Sequence, residues 1–200
     1  MKTLLITGFD PFGGENVNPA WEAVQRLPET VGAYRLCKLQ IPTVFDEAAS
    51  VVMQKAEEVK PSVILCVGQA GGRDAVTPEF VAINYRYASI ADNAGQMPKD
   101  VCILQDAPAA YFSTVPVRRM TEAICAQGIR ASVSYTAGTF VCNDILFQLL
   151  HRYRDSDTRV GFVHVPYLPT QLKDFQRNVP SMPYEDVMRA LIAAVSVLDD

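Results

Sequence analysis

Residues 62–68 read S-V-I-L-C-V-G, an apolar run without the polar alternation of a strand that faces water on one side. Such a run suits a central strand of a parallel sheet, covered by helices on both faces. Working outward toward the N-terminus, Val44 to Val59 carries apolar residues at helical spacing (Val44, Ala48, Val51, Val52, Ala56, Val59) and stops before Pro61. Before it, K-T-L-L-I-T (residues 2–7) and Tyr34 to Ile41 read as strands. A helix from Pro19 to about Leu27 lies between them, with Asn18 as N-cap and Pro19 at the first helical position.

Toward the C-terminus, residues 77–106 look irregular or β-like, with V-A-I-N-Y-R-Y and V-C-I-L as short strands. Pro116 to Gln127 is a helix closed by Gly128, Ala131 to Tyr135 a strand, and Val141 to Tyr153 a helix. V-G-F-V-H-V-P (residues 160–166) is a last strand, and a helix from Tyr184 to about Leu198 ends the chain. Strands alternating with helices predict an α/β fold: a single-domain, three-layer α/β/α sandwich over residues 1–200, with an open, mainly parallel twisted sheet.

Composition narrows the function. The chain is 49% hydrophobic and 20% charged, which is ordinary for a globular protein, and 200 residues suffice for a substantial core. A net charge of −4 argues against nucleic acid or an anionic membrane as partner, since both need a basic face. The five cysteines include no C-x-x-C pair, so neither a disulfide framework nor a zinc site is indicated, and a reducing compartment fits. The N-terminal apolar run is too short for a signal peptide, and no stretch approaches the roughly 18 apolar residues of a membrane span. A cytoplasmic location is expected.

In an open α/β sheet the functional crevice lies beyond the carboxyl ends of the strands. The loops there are residues 8–18, 69–79, 136–143 and 164–169. Cys142 follows one strand and opens a helix, where free N–H groups and the helix dipole favour a thiolate. A buried structural cysteine fits the same placement. His151 lies nine residues further along that helix, about 13 Å away on the axis, too far to act as its base. His164, in F-V-H-V-P, is either a hydrogen-bonded core histidine or the imidazole that takes the thiol proton. Glu79 is either a surface loop carboxylate or the acid that orients that imidazole. Phe9 and Phe12 are either core aromatics or rings that sandwich a small flat ligand. The stretches G-F-D-P-F-G-G and G-Q-A-G-G-R match neither the P-loop nor the dinucleotide fingerprint.

Five motifs occur in one order: L-I-T-G-F-D-P-F-G-G-E-N-V-N-P-A-W, V-G-Q-A-G-G-R, T-P-E-F-V-A-I-N, T-A-G-T-F-V-C-N and H-V-P-Y-L-P-T-Q. Through them the chain closely resembles the pyroglutamyl peptidase I family of cysteine exopeptidases, nearly end to end. The resemblance implies hydrolysis of the amide after an N-terminal 5-oxoproline. Cys142 would be the nucleophile, His164 the base and then acid, and Glu79 the orienting carboxylate. Phe9 and Phe12 would stack on the lactam ring, while Asn18, Thr43, Gln69, Ile90, Phe140 and Val141 would line the pocket or supply hydrogen bonds. It further implies no metal, no organic cofactor, pyroglutamylated peptides as partners, and a homotetramer.

The chain departs from the family pattern in places. Phe80 stands where Arg usually follows the Glu, and Tyr135 where Gln or Asn is usual. R-Y-A-S-I-A-D-N (residues 86–93) replaces the family's D-D-A-R-I-P-D-N, so Ser89 replaces an Arg near the oxyanion. Asp144 stands where a His is usual, and adds negative charge beside the thiol unless its carboxylate turns away. These departures leave two expectations: a peptidase of altered efficiency, or a weakened paralogue that binds pyroglutamyl peptides without efficient turnover.

Overall fold

The computed structural model describes residues 1–172 and 178–199. Its strands are β1 (Lys2–Phe9), β2 (Thr30–Val31), β3 (Tyr34–Ile41), β4 (Val63–Gln69), β5 (Thr77–Pro78), β6 (Val81–Ile83), β7 (Ala110–Phe112) and β8 (Arg159–Val165). Its helices are α1 (Pro19–Val24), α2 (Glu47–Val59), α3 (Val117–Ala126), α4 (Val141–Tyr153) and α5 (Tyr184–Ser196). The main sheet runs β2-β3-β1-β4-β8-β5. Its four inner strands are parallel, and short antiparallel strands close both edges.

The run at 62–68 becomes β4, which is buried on both faces between β1 and β8. Alternate residues of the strands feed two cores. Leu4, Ile6, Val63, Leu65, Val67, Val163 and Val165 pack under α1, α3 and α5. Leu5, Ile64, Cys66, Val160 and Phe162 pack under α2 and α4. The expected three-layer α/β architecture is what the chain adopts.

Local boundaries differ for identifiable reasons. Ala131 to Tyr135 forms only isolated parallel bridges, Val76 with Ala131 and Glu79 with Ser134. Val76 N–H donates to Arg130 and Phe80 N–H to Ser134, but Pro78 between them has no N–H, so the ladder breaks. V-C-I-L also forms no strand. After one bridge between Arg86 and Val101, the side-chain amide of Asn84 takes over, accepting from Leu104 N at 2.9 Å and donating to Leu104 O at 2.7 Å. Helix α1 is capped as expected, with Asn18 Oδ1 accepting from Ala20 N at 3.0 Å. It stops at Val24, because the next residues tighten into i→i−3 bonds ahead of Pro28.

Candidate active site

The register of β4 against β8 pairs Gly68 with His164. Their side-chain face also carries Cys66 and Phe162, and the first turn of α4 descends onto it. A Cβ built on Gly68 would lie 3.0 Å from Cys142 Sγ and 2.7 Å from the Phe162 ring. A residue without a side chain therefore lets the sulfur rest directly on the sheet, over the strand whose backbone lies one strand spacing (~4.8 Å) from that of His164.

Glu79 arrives from the far edge. β5 pairs antiparallel with β8, with Thr77 opposite His164, and Glu79 N–H donates to Phe162 O at 2.9 Å. Its carboxylate is fully buried, with Oε1 2.7 Å from His164 Nδ1. An ionised carboxylate accepts only, so Nδ1 carries the proton and Nε2 is left with a lone pair, the state a base needs. The alternative of a surface loop carboxylate at 79 falls, and the histidine is held by the acid that the triad reading names.

Arg73 adds a fourth group. Its guanidinium donates to Glu79 Oε1 at 2.7 Å, to Thr77 Oγ1 at 2.5 Å and to Thr136 O at 3.0 Å. Glu79 Oε2 is buried and has no hydrogen-bond partner among the described residues, so the side-chain hydrogen bonds described for this carboxylate fall on Oε1.

The thiol departs from the expectation of a lowered pKa. Burial pushes Cys142 well above the ordinary thiol range, and the charge of Glu79 pushes the same way; Arg73 and the backbone N–H oppose it weakly. Burial also lowers His164, against the pull of Glu79. The helix terminus is real, but loss of hydration at a sulfur packed on Gly68 outweighs it. Both directions favour a neutral thiol beside a neutral imidazole.

The surrounding walls are aromatic. Phe12 and Phe140 lie 6.1 Å apart between ring centroids, and Phe45 meets Phe140 edge-on at 5.3 Å. Phe9 is buried beneath them, 6.3 Å from Phe162, so Phe12 and Phe140, rather than Phe9 and Phe12, are the paired half-buried rings. Ile90 is exposed, its Cδ1 beside Gly13. Val141 is buried in the core at the first position of α4, where N–H groups have no intrahelical acceptor.

Asn18 and Thr43 hold the loop after β1: Asn18 Nδ2 donates to Asp10 O at 3.0 Å, and Thr43 Oγ1 to Asp10 Oδ1 at 2.7 Å. Gln69 Oε1 accepts from Gln171 Nε2 at 2.9 Å, which leaves the amide N–H groups of Gln69 for the crevice. Asp10, Arg73, Asn143 and Gln171 escaped sequence reasoning. Each sits inside a quoted motif, but its role is a contact across 6 to 102 residues, which spacing cannot reveal. Asn143, next to the sulfur, clamps β6 by accepting from Ile83 N and donating to Ile83 O, both at 2.9 Å.

The departures from the family pattern separate in space. Asp144 turns away from the sulfur toward Arg86, whose Nε donates to it at 2.6 Å. Phe80 and Tyr135 form an exposed-side aromatic cluster with Phe112, with Phe80 centroids 5.2 Å from Phe112 and 5.7 Å from Tyr135. Ser89 is exposed. The nearby ammonium of Lys99 is held by Ala88 O and lies over the Tyr87 ring.

Comparison with known proteins agrees with this geometry. The family model described as pyroglutamyl peptidase matches residues 1–200. A pyrrolidone-carboxylate peptidase of Bacillus thuringiensis (strain Al Hakam) is 47% identical, covering 98% of this chain and 93% of the relative. One of Bacillus cereus (strain Q1) is 48% identical with the same coverage. Among solved structures, pyroglutamyl peptidase I of Bacillus amyloliquefaciens superposes with a TM-score of 0.95 at 44% identity, covering 99% of this chain and 97% of that one. The pyrrolidone carboxyl peptidase of Thermococcus litoralis gives 0.95 at 36% identity, covering 100% and 94%. With sequence and fold in accord over nearly the whole chain, it belongs to the pyroglutamyl peptidase family of cysteine exopeptidases.

Proposed function

We propose that this protein hydrolyses the amide bond after an N-terminal pyroglutamate, with Cys142 as nucleophile, His164 as base and then acid, and Glu79 as the carboxylate that orients His164. The observation that carries the assignment is the buried His164 Nδ1–Glu79 Oε1 contact of 2.7 Å on the strand face where Cys142 Sγ rests.

Because burial favours the neutral pair, the thiol proton passes to His164 Nε2 as sulfur attacks the carbonyl carbon. The oxyanion forms at the start of α4, where the N–H of Cys142 points at developing negative charge. As the tetrahedral species collapses, the imidazolium gives its proton to the leaving amine and a pyroglutamyl thioester remains on Cys142. Water, deprotonated by His164, cleaves the thioester and releases pyroglutamate with the free thiol.

The lactam is small, flat and uncharged, and lacks an α-ammonium group. Phe12, Phe140 and Ile90 suit its apolar faces, while the side chains of Val141 and Phe9 lie in the core behind the first turn of α4 and the end of β1. The amide of Gln69 suits its polar edge. A site that recognises the lactam carbonyl by hydrogen bonds rejects a prolyl analogue, which leaves those groups unpaired. A fluorogenic pyroglutamyl amide should be cleaved, its prolyl counterpart at least about 100-fold more slowly. Equal cleavage of both would overturn the pocket assignment.

We read residues 1–200 as one domain that works as a homotetramer in the cytoplasm. Exposed apolar side chains at Tyr85, Tyr87, Met97, Val101 and Phe112 provide surface for self-association. Sedimentation giving a monomer at micromolar concentration would refute that assembly. No described helix is long and apolar enough to cross a membrane.

A further inference from the structure

We infer that Arg73 is a positioning residue of the reaction: its guanidinium sets a positive charge against the buried carboxylate of Glu79 and locks the carboxylate-bearing strand to the loop that delivers Cys142. The inference rests on the hydrolytic reading above. It begins with a cost. A fully buried carboxylate with one unpartnered oxygen is unstable unless a cation compensates it. Two groups reach the other oxygen, His164 Nδ1 and Arg73, both at 2.7 Å. The histidine is neutral at rest, so Arg73 supplies the charge.

The fork also has a mechanical reach. One arm holds Glu79 and Thr77, and Thr77 pairs with His164 across the β5–β8 register. The other arm holds Thr136 O, six residues before the sulfur on the segment that enters α4. A single planar group thus joins the acid, the strand beside the base and the approach to the nucleophile. Lysine, a point charge without a fork, reproduces the first task and not the second. Gly72 precedes it with φ +87°, a left-handed turn that aims the Arg73 backbone back toward β5.

Charge gives a readout that simple packing does not. The groups facing Glu79 and His164 are Arg73, Cys142 and, beyond it, Cys66. Activity needs Glu79 ionised and His164 neutral, so the first proton taken up by this pair ends catalysis. Removing a neighbouring positive charge favours that proton whichever of the two receives it. The acid limb of kcat/KM must therefore move to higher pH when Arg73 is neutralised.

The experiment measures kcat, KM and pH profiles with a pyroglutamyl amide for wild type, Arg73→Met and Arg73→Lys, alongside thermal melts. Arg73→Met is expected to lose about 10- to 100-fold in kcat, the usual scale for groups that orient a catalytic one, with KM little changed. Its acid limb should move up in pH, while Arg73→Lys keeps the wild-type limb at reduced kcat. An active wild type with an unshifted limb in Arg73→Met, or with kcat preserved, overturns the inference. So does a Lys variant whose limb moves as far as that of Met. Should Arg73→Met not fold, the Lys variant decides: wild-type kcat in it removes any need for the fork. An inactive wild type refutes the hydrolytic reading itself, a distinguishable outcome.

Discussion

Arg86 and Asp144 form an ion pair at the base of the nucleophile helix, Nε to Oδ1 2.6 Å, with the Asp144 side chain fully buried. Both positions depart from the family pattern, which has Asp and His there. Their contact joins the two departures in space, an arginine at 86 facing an acid at 144. Asp46 N–H and Gln148 Nε2 complete the environment of Asp144 at 3.2 and 3.0 Å. The negative charge beside the thiol is thus neutralised away from the sulfur, and the efficiency concern that Asp144 raised is met by Arg86.

Breaking that pair should be costly for the fold. Asp144→Ala leaves the buried Arg86 with the exposed Asp46 carboxylate as its partner, and an equilibrium denaturant melt should show a loss of about 1.5–3 kcal/mol. The double variant Arg86→Met with Asp144→Leu should recover most of it, since no buried charge is then stranded. A single-variant loss below about 1 kcal/mol would mean the pair is not the compensated unit described here.

Gly68 has a steric role that a stability measurement alone would miss. Gly68→Ala introduces a methyl 2.7 Å from the Phe162 ring and 3.0 Å from Cys142 Sγ, so the ring must shift and the sulfur must give by a few tenths of an ångström. Since about 1 Å at a reacting atom costs about 100-fold in rate, a shift of a few tenths should cost several-fold. Steady-state kinetics should show that drop in kcat with the fold intact by circular dichroism; wild-type kcat would place the sulfur elsewhere.

Glu79→Gln keeps the shape of the acid but not its charge. An amide can offer N–H where the carboxylate only accepts, which presents His164 in the wrong tautomer. By analogy with the corresponding change in serine proteases, kcat should fall about 10⁴-fold. Retention of more than a tenth of wild-type kcat would show that His164 needs no acid at that place.

Thiol titration tests the electrostatics. Burial raises the Cys142 pKa, so in the empty enzyme the thiol stays protonated at neutral pH. Alkylation of Cys142 by iodoacetamide, followed by peptide mapping, should accelerate only above the ordinary thiol range near 8.5. The exposed Cys125 serves as internal reference. Half-maximal reactivity of Cys142 below that of Cys125 would mean a resting thiolate, and the helix terminus would then outweigh desolvation.

Much of this was legible beforehand, because the deciding signals were local. Continuous apolarity marks β4, and Asn18-Pro19 marks the start of α1. Residues 131–135 carry a strand pattern yet form two bridges, because the missing donor sits on the partner segment, at Pro78. The raised pKa of Cys142 is hidden from the sequence for a similar reason. Position at a helix start is written in sequence, whereas the packing of Sγ onto a glycine 74 residues earlier in the chain is not. Arg73 and the Arg86–Asp144 pair likewise become visible only when distant segments meet.

The most direct test is to trap the acyl-enzyme. An activated pyroglutamyl ester mixed with the protein and quenched in acid should leave a pyroglutamyl adduct on the peptide that contains Cys142, as read by mass spectrometry. The adduct should be absent in Cys142→Ala, together with all turnover. An adduct on another residue, or undiminished hydrolysis by Cys142→Ala, would contradict the assignment of that sulfur as the attacking atom.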